Sequence, residues 1–263
     1  ALTVAPKDVL FVLSRGSGHV VEGLGGEPDH GRIGKTTLDE EHLGDFARME
    51  FTWPTGIAIC REGNIYVSDE YKNVVLWYDP DGVKPFQEYE PDGESLGQWG
   101  ESGSSEGQLD GPSGIAFDEN DDLYVCDSGN NRVQKFTKSG SHLLSWGILG
   151  EGEGQFSRPW GITVDSNGQV YVADWGNNRI QKFSDTGVHL LTIGSHVGSG
   201  GFLNHPADVA VDREGDIYVT DWGNRCVRIY DPEGHILASL YGDDTELSKA
   251  GDYIMTVSYT HLR

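Results

Sequence analysis

Seven residues that could contact a ligand stand beside one of two short recurring motifs. Trp53 and His205 each precede a proline, and Trp160 sits inside Pro159-Trp160-Gly161. Glu70 and Tyr71 follow Asp69, Trp175 follows Asp174 and Trp222 follows Asp221, each inside an Asp-x-x-Asn type of turn or its near relative. Indole rings are costly to leave in water unless they pack or bind something. Gathered at one mouth, these side chains would rim a pocket for a small molecule, a sugar or a peptide. The competing reading is that the same rings pack one structural unit against the next. Metal and nucleophile chemistry find less support. The nine His residues are isolated from one another in the sequence. No Gly-x-Ser-x-Gly motif precedes a helix start, and Gly16-Ser17-Gly18 is too short to cradle a phosphate.

The elements that must hold these residues are short strands. Pro159–Phe183, PWGITVDSNGQVYVADWGNNRIQKF, contains three strand signals and two turns. Gly161–Val164 is apolar and β-branched, Asp165–Gly168 has the Asn-Gly chemistry of a tight turn, and Val170–Ala173 is a second strand. A second turn leads to Arg179–Phe183, where polar and apolar residues alternate as in a half-buried strand. Such a meander cannot bury its own faces, and the chain supplies copies of it. Copies open at Pro54, Pro112, Pro159 and Pro206, the last three spaced by 47 residues. Ala1–Gly23 fits Gly114–Phe136 without a gap, with strands at Leu2–Val4, Val9–Leu13 and His19–Glu22. Leu143–Gly147, Leu190–Gly194 and Ile236–Gly242 add a fourth strand to their copies.

Two segments depart from the template. Leu24–Phe51 reads as an insertion; a helix starts near Thr36, with Leu38, Leu43, Phe46 and Met49 on one side. Asp79–Gln108 reads as a second insertion, and either Val74–Tyr78 or Phe86–Tyr89 is the third strand of its copy. After Gly242 the pattern stops. Residues 243–263 read as an irregular tail, and Val257–Arg263 resembles the adapter-derived ends of some metagenomic reading frames, so a truncated C-terminus is expected.

A period of 40 to 50 residues with four strands per copy is the mark of a β-propeller blade. The motif itself resembles the NHL repeat, over about residues 1–242. NHL domains are mostly six-bladed, so the resemblance implies an all-β propeller with five of six four-stranded blades present. Asp118, Asp165 and Asp212 are expected to cap turns. Asp127 and Asp174, paired with Arg132 and Arg179, are expected to lock the second turn or the next blade. Where His19, Val74 and Cys226 replace the Arg, the lock must differ.

Two stretches are also similar to the peptidyl-hydroxyglycine amidating lyases. Leu13–Gly16 matches their Arg-Gly turn and Ser68–Asn73 their Tyr-containing turn. That resemblance would make Arg15 a substrate-binding cation and Tyr71 a proton-transfer group. The family's zinc-binding His positions hold Thr55, Ser113, Trp160 and Ala207 here, which argues against zinc chemistry. No cofactor is predicted. A calcium in the central channel suits the fold, but nothing in the sequence specifies its ligands.

Bulk properties set the remaining bounds. The formal net charge is −23, with no basic stripe, so nucleic acid is not an expected partner. No apolar run is long enough to insert in a membrane and no secretory signal is visible. The three cysteines lack C-x-x-C spacing and read as buried free thiols. Two functions stay open: a module binding a protein, peptide or small ligand on its aromatic face, or a propeller enzyme of amidating-lyase, streptogramin-lyase or lactonase type.

Overall fold

The computed structural model describes residues 1–5, 9–14, 31–39, 42–46, 51–79, 96–194 and 202–241. Within them lie five four-stranded antiparallel sheets, each a meander in chain order. The first comprises β1 (Leu2–Ala5), β2 (Val9–Ser14), β3 (Arg32–Thr37) and β4 (His42–Phe46). The second holds β5 (Pro54–Ile59), β6 (Ile65–Asp69), β7 (Val74–Tyr78) and β8 (Gly97–Trp99). The third holds β9 (Pro112–Phe117), β10 (Asp122–Asp127), β11 (Arg132–Thr137) and β12 (His142–Trp146). The fourth runs through β13 (Pro159–Val164), β14 (Val170–Asp174), β15 (Arg179–Phe183) and β16 (His189–Ile193). The fifth runs through β17 (Pro206–Val211), β18 (Ile217–Asp221), β19 (Cys226–Tyr230) and β20 (Ile236–Tyr241).

Residues next to or within the first strand of all five sheets line one small axial cavity of about 20 Å³, including Ala1, Gly56, Gly114, Gly161 and Asp208. The sheets are therefore blades set around a common axis. Strand alternation sends neighbouring side chains to opposite faces, so each blade feeds two cores. Phe11, Leu13 and Ile33 of blade one meet Ile57, Ile65 and Val67 of blade two. Ala58 and Tyr66 meet Ile115, Leu123 and Val125 of blade three. Ala116 and Tyr124 meet Ile162, Val170 and Val172 of blade four, and Tyr171 and Ile180 meet Val209 and Val219 of blade five.

Near the axis the first strands touch backbone to backbone. A Cβ on Gly56 would lie 2.5 Å from the Ser113 carbonyl oxygen, and one on Gly114 would collide with the Trp160 carbonyl oxygen. The glycine of Pro-x-Gly is there because nothing larger fits. Asp118, Asp165 and Asp212 cap the first turn of their blades as expected. Asp165 Oδ1, for example, accepts the N–H groups of Asn167 and Gln169. Cys60, Cys126 and Cys226 are free and buried.

Blade one departs from the sequence reading. Its third strand is β3, paired with β2 from Val9↔Thr37 to Ser14↔Arg32. The proposed strand at 19–22 lies outside the described residues. The expected helix near Thr36 is instead the end of β3, a turn, and β4 pairing back on β3. The ladder offered by β3 outweighs a weak helical spacing of four apolar residues. In blade two, Val74–Tyr78 is the third strand, and the fourth, β8, falls within the stretch read as insertion. The tail read at 243–263 lies outside the described residues.

Candidate functional site

The scaffold beneath the candidate residues is a set of buried aspartates. Asp69, Asp127, Asp174 and Asp221 end the second strand of their blades and are 0–1% exposed. Asp174 Oδ2 accepts from Arg179 Nε at 2.7 Å, Asn177 Nδ2 at 2.9 Å and Gln181 Nε2 at 3.1 Å, while Oδ1 accepts the Ser157 N–H at 2.8 Å. Asp127 repeats the pattern with Arg132, Asn130, Gln134 and the Asp110 N–H. Burial pushes both carboxyl groups above their ordinary pKa, against the pull of these donors. The Arg179 guanidinium also holds the carbonyls of Glu151, Gly152 and Gln155 in the preceding Gly-rich loop. The Asp–Arg pair thus locks a blade to the loop that leads into it.

The lapses in the pattern are compensated individually. In blade five, Cys226 occupies the Arg position, and Arg228, two residues on, reaches Asp221 at 2.6 Å. In blade two no Arg is present at Val74. Asp69 instead accepts backbone N–H groups of Thr52, Trp53, Tyr71 and Lys72. In blade one the Arg is displaced rather than lost: Arg32 heads β3 opposite Ser14, as Arg132 heads β11 opposite Asp127.

A second device joins each turn to the next blade. Asn73, Asn131 and Asn178 adopt left-handed backbone. Their side-chain oxygens accept the N–H of Gly111, Arg158 and His205, the residues just before the next blade-opening proline, at 2.7–2.8 Å.

On this scaffold the seven aromatic and acidic residues singled out above fall into two groups. Trp53, Glu70, Tyr71 and Trp160 line one cavity of about 520 Å³, together with Asn73, Asp110 and Gly111. That volume suits a small organic ligand. Trp53 and Tyr71 are 51% and 75% exposed. Glu70 lies partly buried, its Oε2 shut off from water without a hydrogen-bond partner. Trp175, His205 and Trp222 form the other group. The His205 ring sits 4.2 Å from Trp175 and 6.2 Å from Trp222, centroid to centroid. Asn73, Asp110 and Gly111 were not among the expected contacts. Asp110 and Gly111 precede Pro112 just as Trp53 precedes Pro54, and that parallel was the available signal.

The NHL-repeat family pattern matches residues 109–136, 156–183 and 203–230. These segments hold the first three strands of blades three, four and five. The chain is a β-propeller that contains NHL repeats. No curated protein matches it in sequence. Among solved structures this propeller is similar to virginiamycin B lyase from Staphylococcus aureus, at 15% identity and a TM-score of 0.63. That match covers 93% of this chain and 70% of the lyase. A streptogramin B lyase structure matches at 15% identity and a TM-score of 0.63, over 93% of this chain and 68% of that one. A protein of unknown function from Bacteroides caccae matches at 14% identity and a TM-score of 0.64, over 92% of this chain and 80% of the other. At these identities the likeness concerns the fold.

Other candidates in the NHL propeller resolve as follows. Arg15 lies outside the described residues. Thr55 and Ser113, where amidating lyases would place zinc-binding His, are used between blades: Thr55 Oγ1 donates to the Pro112 carbonyl at 2.9 Å and Ser113 Oγ to that of Trp160 at 2.9 Å. Among the described residues one trio of possible metal ligands converges, Asp231, Glu233 and His235. It is an exposed turn in which Asp231 accepts the N–H groups of Glu233 and His235. His142 and His189 are half-buried, each edge-on to a Phe ring of its own blade. Among the described residues no helix is long and apolar enough to cross a membrane.

Proposed function

We propose that this NHL-repeat propeller binds a small molecule, or one residue of a peptide, in the cavity between Trp53, Tyr71 and Trp160. The observation that carries the reading is the coincidence of that cavity with two exposed aromatic rings and a carboxylate oxygen lacking a partner. Trp175 and His205 belong to packing under this reading, since each already has the other as a close aromatic neighbour. The test is a thermal-shift and NMR screen with a diverse fragment library. Hits that disappear in Trp160→Leu and Tyr71→Ala support the site. Hits unaffected by both substitutions refute it.

A catalytic form of the same reading is favoured by two observations. Solved propellers of similar fold include lyases acting on streptogramin B and virginiamycin B. The cavity also sets a carboxylate, Glu70, next in sequence to a phenol, Tyr71. Elimination needs a group to take a proton from the carbon beside the breaking bond and another to protonate the leaving atom. Glu70 would serve as the first and Tyr71 as the second. Incubation with a streptogramin B antibiotic, followed by chromatography and mass spectrometry, tests this. Turnover that Glu70→Gln abolishes supports the lyase reading; an unchanged substrate after prolonged incubation leaves binding alone.

A further inference from the structure

We propose that the group this cavity recognises is an organic cation bearing N–H donors, an alkylammonium or guanidinium such as the end of a lysine or arginine side chain. The inference rests on the binding reading above and narrows its ligand class. Two carboxylates, Glu70 and Asp110, line the cavity, and no Lys, Arg or His is among its lining residues. Glu70 Oε2 has neither water contact nor donor. A carboxylate in that state lacks the hydrogen bonds that normally stabilise its charge. Its terminal torsion is broad, so a partial turn would present this oxygen to the cavity. An N–H cation would supply both the missing donor and the opposite charge.

The aromatic walls point the same way. Trp53, Tyr71 and Trp160 line the same cavity, and aromatic ring faces attract cations through their quadrupoles. Gly111 lies beside the stem of Glu70: a Cβ added to it would stand 3.6 Å from Glu70 Cγ. Gly111 is itself fixed by the 2.7 Å bond from its N–H to Asn73 Oδ1. The net charge of −23 draws cations toward the molecule and repels anionic competitors. An anionic ligand would be repelled by both carboxylates, a neutral hydroxyl or amide would bring a donor without charge, and a quaternary ammonium would bring charge without a donor.

Three probes separate these terms: N-acetyl-lysine amide, its Nε-trimethylated form and N-acetyl-norleucine amide. Binding is followed by tryptophan fluorescence and NMR titration on the wild type, Glu70→Gln and Asp110→Asn. The lysine amide should bind about tenfold or more tighter than the norleucine amide, with the trimethyl form between them. Glu70→Gln should erase most of that ratio, and Asp110→Asn, which changes an exposed carboxylate, should reduce it. Circular dichroism confirms that both variants fold; if Glu70→Gln does not, Asp110→Asn carries the test. Equal binding of the lysine and norleucine amides overturns the cation inference and leaves the pocket reading standing. No perturbation by any of the three also overturns it, and the pocket then depends on the fragment screen alone.

Discussion

Asn178 Oδ1 in blade four accepts the backbone N–H of His205 in blade five at 2.8 Å. The acceptor residue has φ 56°, the donor residue φ 52°, so two left-handed residues meet across the blade boundary. The bond fixes where the fifth blade starts relative to the fourth. Asn178→Gly keeps the backbone conformation and deletes the bond; it should cost about 1 kcal/mol. Asn178→Ala adds left-handed strain and should cost about 2–3 kcal/mol. Urea denaturation of the two variants measures the difference.

Arg179 contacts Asp174 and three loop carbonyls with three different nitrogens. An ammonium cannot reproduce that fork. Arg179→Lys should destabilise the protein by about 3 kcal/mol, close to the loss from removing one partner of a buried pair. A loss under 0.5 kcal/mol in denaturant titration would show that the network is dispensable.

Gly187 and Gly168 have nearly the same backbone, φ 80° and 75°. A Cβ on Gly187 would lie 2.8 Å from the Trp146 ring, whereas one on Gly168 would meet nothing nearer than 3.9 Å. Gly168→Ala should cost about 1 kcal/mol from φ alone. Gly187→Ala should cost at least about 1 kcal/mol more, because the indole of the neighbouring blade must move. Melting temperatures of the pair isolate the steric part.

Acid should strengthen this protein before it weakens it. The folded-state pKa values of Asp127 and Asp174 are raised by burial. Their native forms therefore hold protons more tightly than the unfolded chain does. That contribution is full below the unfolded value of about 4 and is lost as pH rises through the folded value. Relief of repulsion within a chain of net charge −23 has the same sign as pH falls from neutrality. The melting temperature should rise between pH 7.5 and 5.5, and added salt at pH 7.5 should raise it too. A flat or falling profile over that interval would contradict the net-charge contribution.

The propeller was readable because its blades repeat: the Pro-x-Gly, Asp and Asn positions recur at fixed distance, each with a structural reason now visible in Gly56, Asp174 and Asn178. In blade one the copies stop aligning. A gapless alignment sets His19 against Arg132, whereas Arg32 takes that place in β3. His42-Leu43 opens β4 as His142-Leu143 opens β12 and His189-Leu190 opens β16, and that likeness outranks the helical spacing in a short window. The candidate site was half legible. Its residues could be assigned to one side of the molecule, but whether Trp160 joins Tyr71 or Trp175 depends on tilts between blades that no local pattern encodes.

The bond from asparagine to the residue before Pro112, Pro159 and Pro206 uses only the backbone of its donor. Gly111, Arg158 and His205 are three unrelated residues that make the same hydrogen bond there. The bond does not depend on side-chain identity, although the left-handed backbone at all three positions disfavours β-branched residues. Substitution there can change the character of the rim while the bond that seats the next blade is kept, which makes the slot ahead of Pro112, Pro159 and Pro206 a practical place for a designed library.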